Sequence, residues 1–109
     1  MSISTVPYLA GDGSLPVTTG TLATSGSYYV ELRNITVVNP SATTAYTFNL
    51  YILRKDAGAA VRISPRNLSL AVGSMYETGP HNLFPGDVLQ GDVSVNLQLT
   101  YSIAAFSYV

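Results

Sequence analysis

His81 is the only histidine, and there is no cysteine. One imidazole cannot build a metal cluster, and no nucleophile motif such as Gly-x-Ser-x-Gly accompanies it. Beside Gly79-Pro80 it reads as a loop hydrogen-bonder. The carboxylates are Asp12, Glu31, Asp56, Glu77, Asp87 and Asp92. Two of them facing each other could hydrolyse a glycoside. Yet Asp12, Asp56, Asp87 and Asp92 sit beside glycine or in turns, where aspartate ties down backbone. Glu77 falls in an irregular stretch, and only Glu31 lies within a strand-like run. Asp87 and Asp92 flank Val-Leu-Gln-Gly and could share a calcium ion. Calcium, however, takes its many oxygens from a closely spaced acidic run, so two turn aspartates closing a strand pair fit better. The expectation is no catalytic residue, no metal site, no cofactor, and no enzyme.

Eight tyrosines and no tryptophan raise a second chemistry, the stacking of sugar rings on aromatics. Tyr28, Tyr29 and Tyr76 are the best exposed candidates. Most of the tyrosines fall in strand-like runs, where tyrosine is favoured for packing, and use in the core or a subunit interface is the expectation.

Charged residues make up only 10 % of the chain and hydrophobic residues 47 %, against about 25 % charged in ordinary soluble domains. With a formal net charge of -1 and Lys55 the only lysine, no basic stripe for nucleic acid is indicated. The start, Met-Ser-Ile-Ser-Thr-Val-Pro, lacks the pattern of a signal peptide. No run approaches a membrane helix. The reading is a protein made in the cytoplasm, contacting neither membrane nor nucleic acid. A surface so short of charge has weak protection against association, and permanent burial in an assembly would resolve that.

The elements that position these residues are strands. Val93 to Ile103 alternates apolar and polar throughout and reads as one long strand, with Leu97 and Leu99 in the core. Tyr46, Phe48, Leu50 and Ile52 form another core face. From Tyr28 to Asn39 the parity shifts between Val30/Leu32 and Ile35/Val37, so either a β-bulge near Arg33-Asn34 or burial of both faces is required. Arg54-Lys55-Asp56-Ala57-Gly58 reads as a solvated hairpin loop. Short strands follow at Val61 to Ile63 and along Leu68, Leu70 and Val72. Met75 to Leu83 is irregular, and Phe84-Pro85-Gly86-Asp87 is a tight turn. The fold class is therefore all-β, an antiparallel β-sandwich of jelly-roll or immunoglobulin-like topology with about eight strands. Residues 1–15 read as an extended N-terminal arm and residues 16–109 as the sandwich. Ile3, Val6 and Tyr8 give the arm apolar anchors. Tyr51, Leu53 and Phe106 are apolar on the second faces of their strands. These six are the candidate interaction residues.

From Tyr28 onward the layout has further content. A strand ending Ile-Thr-Val-Val-Asn-Pro leads to Tyr-Thr-Phe-Asn-Leu-Tyr-Ile-Leu, a charged hairpin, Leu-Ser-Leu-Ala-Val-Gly-Ser, Leu-Phe-Pro-Gly-Asp-Val-Leu-Gln-Gly and a Val-rich final run. In this order it resembles the small β-sandwich virion proteins of tailed bacteriophages, a group of head decoration, neck and tail accessory proteins. The most specific part is Leu68 to Gly91. The resemblance implies a structural role in the virion without choosing between capsid, neck and tail; capsid decoration or cement is the expectation taken forward. Symmetric copies would bind each other and other virion proteins, such as a major capsid or neck/tail protein. It offers no catalytic residue to carry over. A neck or tail position, or a glycan-binding module on a fibre, are the alternatives.

Overall fold

The computed structural model describes the backbone of residues 5–108 and the side chains of residues 12–108. Its strands are β1 (Thr5–Ser14), β2 (Gly20–Thr24), β3 (Tyr29–Val38), β4 (Tyr46–Leu53), β5 (Ala60–Arg62), β6 (Leu68–Leu70), β7 (Met75–Thr78), β8 (His81–Leu83), β9 (Val88–Val93) and β10 (Thr100–Tyr108). Sheet A has the order β1-β10-β3-β7, with β8 also on β3. Sheet B has the order β2-β9-β4-β5, with β6 also on β4. Every pairing is antiparallel. Since β7 with β8, and β5 with β6, each share one sheet position, the ten strands fill eight places.

The pairs β1·β10, β2·β9, β3·β7/β8 and β4·β5/β6 fall alternately in sheet A and sheet B. The chain is one antiparallel ribbon, closed at the hairpin after Leu53 and rolled up on itself. That topology is a jelly roll, which decides between the two sandwich types. Of the segment 1–15 set apart in the sequence, Thr5–Ser14 lies beside β10. Ile3 lies outside the described residues.

The core lies between the sheets. Phe48, Leu50, Leu32, Ile35, Val37, Leu83, Leu89 and Leu99 are wholly buried there. The parity change in β3 is a bulge. Ala104 pairs with Asn34 and Ala105 with Leu32, so Arg33 is the extra residue. The bulge returns Val30, Leu32, Ile35 and Val37 to one buried face, as a single inserted residue must. Gly79 packs against this bulge: at φ 150°, a Cβ there would stand 2.5 Å from the Arg33 carbonyl oxygen. On β4, Phe48, Leu50 and Ile52 are buried and Tyr46 is half-buried, as expected. Asn39 ends β3 from inside the protein. Its Nδ2 donates to the carbonyls of Thr44 and Leu70, each at 2.9 Å, and its Oδ1 accepts from the Ser41 N–H at 2.9 Å. A buried amide is tolerated when satisfied in this way.

Three expectations fail. Val93 to Ile103 is not one strand. β9 belongs to sheet B and β10 to sheet A, so the chain must leave one sheet for the other between them. It does so over 94–99, where Leu97 takes a positive φ of 63°. Val93, Leu99 and Ile103 are buried, but Val95 is 49 % and Leu97 57 % exposed. The alternation continues through the crossing without a sheet beneath it. Secondly, Met75 to Leu83 is not irregular. It forms β7 and β8, both laid along β3. Val72 likewise lies beyond β6 and is exposed.

Candidate functional site: the two ends of the sandwich

β1 and β3 each pair antiparallel with β10, so they run the same way and leave sheet A at one end. The connections 15–19, 39–45, 71–74 and 94–99 gather there. The connections 25–28, 54–59 and 84–87 gather at the other end, and the two ends differ in chemistry.

The second end is built around Asp87. The turn Phe84-Pro85-Gly86-Asp87 closes with the Asp87 N–H donating to the Phe84 carbonyl at 2.9 Å, and Gly86 supplies the positive φ of 89°. Asp87 is buried. Its carboxylate accepts from Arg54 Nη1 at 2.7 Å and from the backbone N–H groups of Lys55 and Phe84, both at 3.0 Å. Burial pushes the Asp87 carboxyl up, but these donors, led by Arg54, outweigh it and hold it below the usual carboxylate range. Arg54, expected in a solvated loop, thus turns inward. It also donates to the Asn82 carbonyl at 2.6 Å and lies over the Phe84 ring.

Beside this clamp, Tyr29 meets Phe84 and Tyr108 edge-on at 5.3 and 5.1 Å. The Tyr108 hydroxyl donates to Glu31 Oε2 at 3.0 Å, and that bond raises the phenol above its ordinary value. Arg33 covers the Phe106 ring at 5.2 Å. Tyr28 and Phe84 are more than half exposed.

Among the candidate interaction residues whose side chains are described, Tyr51 and Leu53 lie on a different sheet from Phe106: the first two are half-buried on β4 of sheet B, and Phe106 is half-buried on β10 of sheet A. Arg62 covers Tyr51 at 5.0 Å. Val6 and Tyr8 lie on β1, paired with Ser107 and Ala105, and their side chains are outside the described residues.

The titratable groups are dispersed as well. His81 lies on β8, where Nε2 and the Thr78 hydroxyl stand 2.9 Å apart. Burial first, and then the charge of Arg54, hold its imidazole below the ordinary value, so it is neutral at pH 7. Asp92 is bonded by Asn49 Nδ2 at 2.9 Å and the Thr19 hydroxyl at 2.8 Å, apart from the Asp87 clamp. Asn49 in turn accepts from Arg62 and from the Asn67 N–H. Among the described residues no three His, Asp or Glu side chains meet as a metal cluster would require. A shallow groove near β1 and β10, lined in part by Asp12, Ser14, Thr100, Tyr101 and Ser102, brings one carboxylate among hydroxyls and no second acid or base.

The connections of the first end carry no charge of their own, and one carboxylate, Asp92 of β9, reaches them by accepting from the Thr19 hydroxyl at 2.8 Å. Residues 15–19, 39–45, 71–74 and 94–99 include no Asp, Glu, Lys, Arg or His. Hydrogen bonds knit them together. The Leu97 N–H donates to the Leu15 carbonyl at 3.0 Å, Val17 N–H to Asn96 Oδ1 at 3.0 Å, and Asn39 N–H to the Ser74 carbonyl at 2.9 Å. Exposed on them are Val17, Val72, Val95 and Leu97, with Met75 alongside at the start of β7. Sequence reasoning missed this surface because it placed Leu97 inside. The lack of charge across four separate connections was legible, but only the topology shows that they share an end.

No protein-family model matches the chain, and no curated protein matches it in sequence. Solved structures do match it in fold. A crystal structure of a viral particle of IBDV aligns with a TM-score of 0.57 at 14 % identity, covering 97 % of this chain and 30 % of that one. A mutant VP2 protein of infectious bursal disease virus gives 0.51 at 12 %, covering 97 % and 31 %. The acidic stable capsid structure of Helicobacter pylori bacteriophage KHP30 gives 0.52 at 15 %, covering 99 % and 94 %. The chain spans less than a third of the two IBDV chains and nearly matches the KHP30 chain in extent. In fold, it is similar to proteins of viral capsids.

Proposed function

We propose that this chain is a structural subunit of a tailed-phage virion, a capsid decoration or cement protein that acts by protein–protein contact and turns nothing over. The observation that carries the reading is the whole-chain correspondence with a phage capsid structure, 99 % of one chain against 94 % of the other. The two chains match in extent as well as in fold. The composition supports it independently, since a surface short of charge leaves fewer groups to desolvate when a permanent interface forms. On this reading the protein resides in the virion after synthesis in the host cytoplasm, and its partners are other virion proteins and further copies of itself. The exposed Tyr28 and Phe84, beside Tyr29 and Tyr108, favour glycan binding as the second reading.

A subunit that binds only the assembled shell stabilises it by mass action. Particles made without this chain should therefore fail at a lower temperature or a milder osmotic shock than complete ones. Equal robustness with lost adsorption to cells would replace decoration by the glycan reading. Equal robustness with missing or misjoined tails would replace it by a neck or tail role.

A further inference from the structure

We infer that the uncharged end of the sandwich is a self-association surface, at which Leu97 and its neighbours meet the same residues of further copies of this chain around a rotation axis.

Two independent observations lead there. The first is Leu97 itself. A bulky residue at φ 63° is a backbone outlier, because its Cβ crowds the following carbonyl. The usual reason to accept such strain is core packing, yet Leu97 is 57 % exposed. An isolated subunit gains nothing from leucine here that asparagine, aspartate or glycine would not give with less strain. Strain held at an exposed apolar side chain points to a surface that is covered in use.

The second observation is the charge map. The chain's charged side chains lie on the strands, on the hairpin after β4, on the turn before β9 and on residues 64–67, while the four connections at the Leu97 end carry none. Near a rotation axis a residue faces its own copy. Any charge there would meet a like charge, which disfavours the contact. A set of connections without charge of its own is therefore self-complementary in a way that the Arg54/Asp87 end is not, and the one carboxylate that reaches it, Asp92, is already held by Thr19 and Asn49. Hydrogen bonds between residues 15–17 and 96–97 tie together the connections that carry the exposed Val17, Val95 and Leu97, with Asn96 and Gln98 able to bond across the surface.

This inference stands on the fold and does not require the virion reading. Association in solution without particle binding would uphold it and remove that reading, and the reverse result would do the opposite.

The test is sedimentation of the full chain with three variants. The native chain should associate reversibly with rising concentration. Leu97→Asp should sediment as a monomer yet melt at the same or a higher temperature, because aspartate tolerates the left-handed conformation. Leu97→Lys should also be monomeric, and an equal mixture of the two should recover association, since opposite charges then face each other across the axis. Val95→Asp, at a residue without the positive φ, should be monomeric as well and guards against a folding defect in the Leu97 variants. A native chain that is monomeric at its highest soluble concentration would overturn the inference. So would unchanged association of Leu97→Asp and Val95→Asp, or a mixture that stays monomeric.

Discussion

Phe48→Ala should remove about 3–5 kcal/mol of folding stability, the range for emptying a buried phenylalanine site. Phe48 lies on β4, is wholly buried, and meets the Tyr76 ring edge-on at 5.5 Å across the two sheets. β4 is flanked by β9 on one side and by β5 and β6 on the other, so the backbone cannot collapse into the void. Domains of this kind have about 5–15 kcal/mol in all, so the variant should lose a large share of its stability. Urea denaturation checks it: the midpoint should fall sharply with little change in slope. A loss below about 1 kcal/mol would place the ring outside the core.

Asp87→Ala should cost about 3 kcal/mol, toward the lower end for breaking a buried pair because Arg54 still reaches water. The variant leaves the Lys55 and Phe84 N–H groups and the Arg54 guanidinium without their acceptor. Asp87→Asn should not rescue it, since the new amide would face donors with another donor. The pH dependence gives a separate signature. Asp87 is depressed below its ordinary 3.8, so its contribution is present above that value and is lost as pH falls through the folded one. His81 is depressed below its ordinary 6.5; protonation favours the unfolded chain there too, and stability declines as pH drops from 6.5. Denaturation midpoints against pH should show both declines in the native chain. Asp87→Ala should keep the upper decline and lose the contribution of Asp87 to the lower one. An unaltered acid profile in the variant would remove Asp87 from the account.

Local geometry was legible in the sequence wherever a single strand was buried on one face. Tyr46 to Ile52 could be placed because alternation there has a sheet beneath it. The bulge at Arg33 was one of the two readings that four aliphatics of two parities allow, and the pairing with β10 selects it. The Pro-Gly turn before Asp87 followed from dihedral preferences alone. Alternation is blind to which sheet a residue belongs to, and for that reason it ran straight across 94–99. β7 and β8 escaped because their order comes from β3's backbone and not from an apolar pattern of their own. The clamp of Arg54 on Asp87 joins residues 33 apart in sequence, a distance that no local signal spans. The same limit hid the uncharged end, whose four pieces are neighbours only after the ribbon rolls up.

The central claim, that this chain is a symmetric structural component of a virion shell, is tested most directly by its copy number in purified particles. Quantitative mass spectrometry of virions from a lysate in which the chain is made, referenced to the major capsid protein, would supply it. The account predicts a fixed ratio, with many copies per particle, retained through gradient purification and salt washes. Absence from the particles, or a handful of copies confined to a single vertex or tail, would contradict it.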